Sequence, residues 1–319
     1  MLPIAEYPSS VREARSYLES GFDDWRQPEN AMRYLTGLVA IPERKNVSSI
    51  SRSFLEYRNQ ASMNSFIADS TWGDGESHRA MVQMVKDEAE KQGVRHGTLV
   101  IDDTFLEKSG EEMEGVGWFW DHSQNKSILA HNLVSTHYIA SRFHVPLDFD
   151  VYVKRKDCAS LRMEHLDGTK VKVVVPYKDE RLDAGGEGPS FYATSMRLWE
   201  SKKVLQTQAM RWPIEGFHRD AKQSLGLEDY QARKIRGVKR HIAMVFFAYV
   251  LLQLGSGFDR IMGNPMANLR TSGSRCRLAG TEALSSLIRL VVKMSRRDMD
   301  ARKIMDLLTK PLERSRYWA

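Results

Sequence analysis

The chain has 319 residues, 42% of them hydrophobic and 28% charged, enough to bury one large core or two modest ones. A net charge of +6 and a pI near 9.2 favour a polyanionic partner. Two distant cysteines, Cys158 and Cys276, exclude a disulfide framework or zinc ribbon and suit a reducing cytoplasm, and the opening "MLPIAEYPSS" lacks the basic-then-apolar order of a signal peptide.

Residues 9 to 92 read as helical, with apolar side chains at three- and four-residue spacing and Ser or Asn near several helix starts. Arg12, Arg15, Arg33, Arg44, Lys45, Arg52 and Arg58 make this stretch, 1–95 as a domain, either a DNA-binding module or a solvated helical face. At Gly97 the pattern changes. "GTLVIDDTFLEKSG" predicts a buried strand that delivers Asp102 and Asp103 at its C-terminal end. Two more strands are expected at 127–140 and 143–154, with a loop between the first two that carries Gly115, Gly117 and the aromatics Trp118, Phe119 and Trp120. Those aromatics suit core filling better than base stacking.

Further along, 169–177 and 190–196 read as strands around the Gly-rich turn "DAGGEGP", and helix resumes near Glu200. The apolar run Ile242 to Leu254 is too short for a membrane span of roughly 20 residues and predicts a buried helix over 237–255, so no membrane partner is expected. Residues 263–280 read as a loop. Two amphipathic helices close the chain from Thr281 to about Lys310, with Arg289, Lys293, Arg296, Arg297, Arg302 and Lys303 on them.

"RWPIEGFHRDAKQSLGL", from Arg211 to Leu227, predicts a helix with defined ends: Pro213 suits its first turn and Gly226 its close. At about 100° per residue, Ile214, Phe217, Ala221 and Leu225 form one apolar stripe, with Glu215, Arg219 and Lys222 beside it. A carboxylate followed by cations can hold a divalent ion and steer a phosphate toward it; the same pattern also describes an ordinary surface ion pair.

Here the sequence resembles the DDE-type transposases of bacterial and archaeal insertion sequences. "LVIDDTFLEKSG" and the strands after it are similar to the family's first catalytic strand and its neighbours. Arg211, Glu215 and Lys222 match the spacing of its Y-x2-R-x3-E-x6-K helix, with Gln208 where the Tyr should stand. The likeness runs from about Leu35 to about Gly255. It implies an α/β, ribonuclease-H-like mixed-sheet core over 96–255, a helical N-terminal module and a tail at 256–319 of loop and basic helices. It also implies Mg²⁺ or Mn²⁺ as cofactor and double-stranded DNA, as element ends and target, as partner. Action as a homodimer is usual in the family, and a cytoplasmic, nucleoid-associated prokaryotic setting follows. In that scheme Asp102 (or its neighbour Asp103) and Glu215 bind metal, while Arg211, Arg219 and Lys222 hold DNA phosphates.

The chain also departs from the family. The helix and strand that bring the second catalytic Asp are missing from the shortened stretch near 157–168, and Asp148 and Asp150 fall too early, inside the third strand. Asp179, after an apolar strand, is the least unsuitable substitute. Two function readings follow, with a third more distant: a metal-dependent DNA transposase, a transposase-derived protein that binds DNA without cutting it, and a nuclease unconnected with mobile DNA. His131, His137 and His144 lack metal-ligand spacing and read as satisfied structural histidines, and the 185–188 "GGEG" precedes a strand and is a turn.

Overall fold

A computed structural model describes residues 2–56, 58–140, 143–152, 172–174, 192–194, 198, 200–203, 212–255 and 271–313. Chain contacts divide it into two compact units, 1–153 with 217–319, and 154–216.

The larger unit opens with helices α1 (Ser9–Glu13), α2 (Arg15–Gly21), α3 (Gln27–Ala40), α4 (Val47–Arg52), α5 (Gln60–Ala68) and α6 (Asp74–Lys91). Their starts follow the sequence signals. Asn46 accepts from Ser49 N at 2.9 Å and Asn59 from Ala61 N at 3.0 Å, each satisfying an amide that its helix leaves without a partner. The Glu76 carboxylate performs a similar task at α6, accepting from Gly73 N at 2.7 Å.

Strands β1 (Thr98–Glu107), β2 (Gly117–Asp121), β3 (Lys126–Ile139) and β4 (His144–Tyr152) form a four-stranded sheet with every described pairing antiparallel. The long β3 is its axis. Ala130 pairs with Glu107 of β1 and with Gly117 of β2, and Asn132 pairs with Phe105 and with Tyr152 of β4. A residue has one partner per edge, so β1 takes one edge of β3 while β2 and β4 follow each other along the other.

Behind the sheet lie residues 217–224 of α7 (Trp212–Ser224), whose first turn belongs to the smaller unit, and α8 (Ile235–Leu254). Helix α8 reaches a length and apolarity that could cross a membrane, yet 89% of its most apolar window is buried within the protein, as expected of a core helix. Two of its buried polar residues are bound: His241 Nδ1 lies 2.7 Å from Tyr34 Oη and its Nε2 2.9 Å from Gly226 O, while Arg240 donates to the carbonyls of Ile67, Ser70 and Trp72.

Helices α9 (Ser272–Ser295) and α10 (Ala301–Glu313) complete the described chain. Helix α9 starts within the stretch expected to be a loop. Thr271 and Ser274 cap it reciprocally, and its glycines serve close packing: a Cβ on Gly273 would stand 3.2 Å from Ser224 Oγ, and one on Gly280 3.1 Å from Ala40 O. Glu282 of α9 accepts from Ser9 N at 2.9 Å and Ser9 Oγ at 3.0 Å, tying the two ends of the unit together. One apolar core runs through the N-terminal helices, the sheet, α7, α8 and α9.

In the smaller unit, β5 (Lys172–Val174) pairs antiparallel with β6 (Tyr192–Thr194), within the two strands expected there, and residues 201–203 are helical.

The loop expected to hold Trp118, Phe119 and Trp120 is strand β2. Phe119 packs with Phe105 and Ile128, while Trp118 and Trp120 turn to the other face and stay 55% and 51% exposed. Core filling holds for the central ring alone.

Candidate active site

Side chains alternate across a strand, and β1 shows what this does to the paired acids. Asp102 stands opposite Ser135 and faces the helices with Val100, Thr104 and Leu106; Asp103 stands opposite Val134 on the far face, with Leu99 62% and Ile101 67% exposed beside it. The expected buried strand ending in two carboxylates is therefore corrected. Strand β1 continues to Glu107, both acids lie in its middle, and its outer face is open to solvent at Leu99, Ile101 and Asp103. The apolar run that suggested burial is partly the exposed face of a strand that, among the described residues, pairs along one edge alone.

The predicted stripe is buried completely: Ile214, Phe217 and Ala221 of α7 and Leu225 just past its end. Beside it His218 is 6% exposed, with Nε2 2.8 Å from Ser135 Oγ, which in turn lies 3.5 Å from the Asp102 carbonyl. The serine hydroxyl thus stands between the helix and the backbone of Asp102. Burial pushes the His218 imidazole down to about 4, against the opposing pull of the Asp102 carboxylate, so the ring is neutral at neutral pH.

One turn further on, Lys222 donates to the Phe105 carbonyl of β1 at 2.5 Å and pairs with Glu228 at 3.2 Å. Its ammonium is directed onto the strand backbone. Arg219 is exposed and lies 3.8 Å from Asp220. Glu215 is exposed in the first turn of α7, three residues before His218. Arg211, Gln208, Asp179, Cys158 and the 157–168 and 185–188 stretches lie outside the described residues. Asp148 and Asp150 are exposed strand residues, as expected, and Asp150 takes Lys239 at 2.6 Å.

The three strand histidines divide. His131 is satisfied, 2.8 Å from Tyr230 Oη and 3.0 Å from Glu114 O. His137, packed against Phe217 with ring centroids 4.6 Å apart, has no hydrogen-bond partner at either ring nitrogen among the described residues, and His144 has none at Nδ1. Burial holds all three rings below their ordinary range, His137 to about 2.

Ser135 and His218 escaped the sequence reading. They are 83 residues apart, and the only local sign was a histidine adjoining the apolar stripe at Phe217.

Among the described residues, no group of three or more His, Cys, Asp or Glu side chains is arranged to hold a metal ion. Asp103 points away from Asp102, so the two cannot share one ion. The described donors therefore do not fit a divalent-ion pair, which needs several carboxylates converging on one space.

An antiparallel sheet backed by long helices, with an acid in mid-strand β1 facing those helices, defines an α/β protein of ribonuclease-H-like type. The chain belongs to the DDE superfamily endonucleases, whose family pattern matches residues 18–187, just over half its length. The match takes in Asp102 and Asp103 and ends before α7. A comparison with curated proteins finds no match.

Proposed function

We propose that this endonuclease is the transposase of a prokaryotic insertion sequence, cutting double-stranded DNA at the element's ends and joining them to a target. Asp102 and Glu215 are its catalytic carboxylates and Arg211 and Arg219 lie along the DNA, whereas Lys222, expected to hold a phosphate, is held by the Phe105 carbonyl and Glu228. The observation that carries the reading is the family match over residues 18–187, which takes in Asp102; His218 and Lys222 fasten residues 217–224 of α7 to the strand pair that bears that acid. The cations of α9 and α10, from Arg289 to Lys303, are exposed and suit contact with phosphates. The protein works as a homodimer on nucleoid DNA, a state that light scattering of the DNA complex would check.

Cleavage of a plasmid that carries the element ends tests the proposal, with Mg²⁺ or Mn²⁺ against chelator. Cutting that Asp102→Asn and Glu215→Gln both abolish supports it; cutting that survives both sinks it.

The exposed cations of the C-terminal helices also suit a second reading, a transposase-derived protein that binds element ends without cutting them. Binding by the wild type without cleavage in any divalent ion would select it.

A further inference from the structure

Trp25 is 85% exposed in the short connection between α2 and α3. The connection is fixed. Asp24 Oδ1 accepts from Arg26 N at 3.0 Å and Arg26 Nε at 3.0 Å, and Asp24 Oδ2 accepts from Arg26 Nη2 at 3.0 Å and Gln27 Nε2 at 3.2 Å. The indole is thus presented by a stapled turn, and leaving a ring of that size in water forgoes one of the largest burial gains a side chain offers.

Trp25 borders a groove of about 620 Å³ between the start of α3 and the outer side of α5, and every other lining side chain is polar. Asn30, Ser62 and Ser65 contribute amide and hydroxyl groups. Of the three lining acids, Asp24 is engaged by Arg26, Glu29 by the Tyr7 hydroxyl, Arg15 and Arg58, and Asp69 stands exposed just past the end of α5. Arg26 remains 70% and Arg58 38% exposed at the side chain. One aromatic platform beside an otherwise polar cleft suits a flat heterocycle that carries its own donors and acceptors, with an anion beside it for the arginines.

We propose that Trp25 and this groove bind an unpaired nucleobase of single-stranded DNA. The ring stacks on the base, Asn30 and the α5 serines meet its edge, and Arg26 and Arg58 take the adjacent phosphates. The choice of a nucleobase over another polar ring, such as a sugar, rests on the DNA reading above.

The test uses the full chain with a duplex, and with the same duplex bearing a single-stranded extension that contains 2-aminopurine. Wild type should quench the 2-aminopurine and prefer the extended DNA. Trp25→Ala should abolish the quenching and weaken binding of the extension about tenfold, the scale of one lost base–aromatic stack, with duplex affinity unchanged. Trp25→Phe should retain part of both effects. Equal binding of the extended DNA by Trp25→Ala and wild type overturns the proposal while leaving the DNA reading intact, as does an equal loss on both DNAs. A wild type that binds neither DNA overturns both, and saturable binding of a neutral oligosaccharide lost in Trp25→Ala would replace the nucleobase with a sugar.

Discussion

Nε2 of His218 lies 2.8 Å from Oγ of Ser135, so a buried contact joins α7 to the residue opposite Asp102 in the sheet. Removing one partner strands the other without water to replace it. Ser135→Ala should therefore cost about 1–3 kcal/mol in urea unfolding, and Ser135→Ala with His218→Ala less than the sum of the single losses. Additive losses would show that the pair is not coupled.

The opposite orientations of the paired acids separate their roles. Asp102→Asn should reduce DNA cleavage by about a hundredfold or more, a scale typical of removing a group that stabilises transition-state charge. Asp103→Asn, on the exposed outer face, should stay within a fewfold of wild type. Equal losses in a single-turnover cleavage assay would place both acids in the chemistry.

Acid should unfold the protein through its buried histidines. Burial lowers His218 to about 4, His241 to about 3 and His137 to about 2, from an ordinary 6.5. Between pH 6.5 and about 4 the unfolded chain binds protons that the folded chain refuses. The stability contributed by neutral rings is full above 6.5 and is lost as pH falls toward 4. Three such sites give a slope of about 4 kcal/mol per pH unit near pH 5. Urea midpoints measured across this range would check it, and a flat profile would contradict it.

Gly226 has φ +69°, and a Cβ there would lie 2.7 Å from Lys45 Cβ and 2.8 Å from Asp229 Oδ2. Gly226→Ala should cost about 2–3 kcal/mol, combining the left-handed backbone penalty with the clash. Gly75→Ala in α6 meets nothing within 4 Å and should be neutral or stabilise by up to about 1 kcal/mol. Thermal melts of the two variants make the comparison.

Local signals carried much of this architecture. Asn46 and Asn59 mark helix starts by hydrogen bonds within one turn, and the stripe from Ile214 to Leu225 follows from helical period alone. What the sequence hid was set by distant neighbours. Gly273 and Gly280 read as loop because their reason, the approach of Ser224 and Ala40, lies far along the chain. Strand β2 was obscured because its outward residues are tryptophans, which break the usual alternation of apolar and polar. Asp102 and Glu215 are proposed from motif resemblance alone, whereas the contact of Ser135 with His218 exists only once β3 and α7 have packed.

The bond between Ser9 and Glu282 has a consequence for how the protein is made. The first helices leave the ribosome long before α9 is synthesised, so their apolar faces wait in a partly folded chain for a partner translated near the end. Synthesis halted before residue 282 would leave that surface uncovered, a nascent chain marked for chaperones or proteolysis.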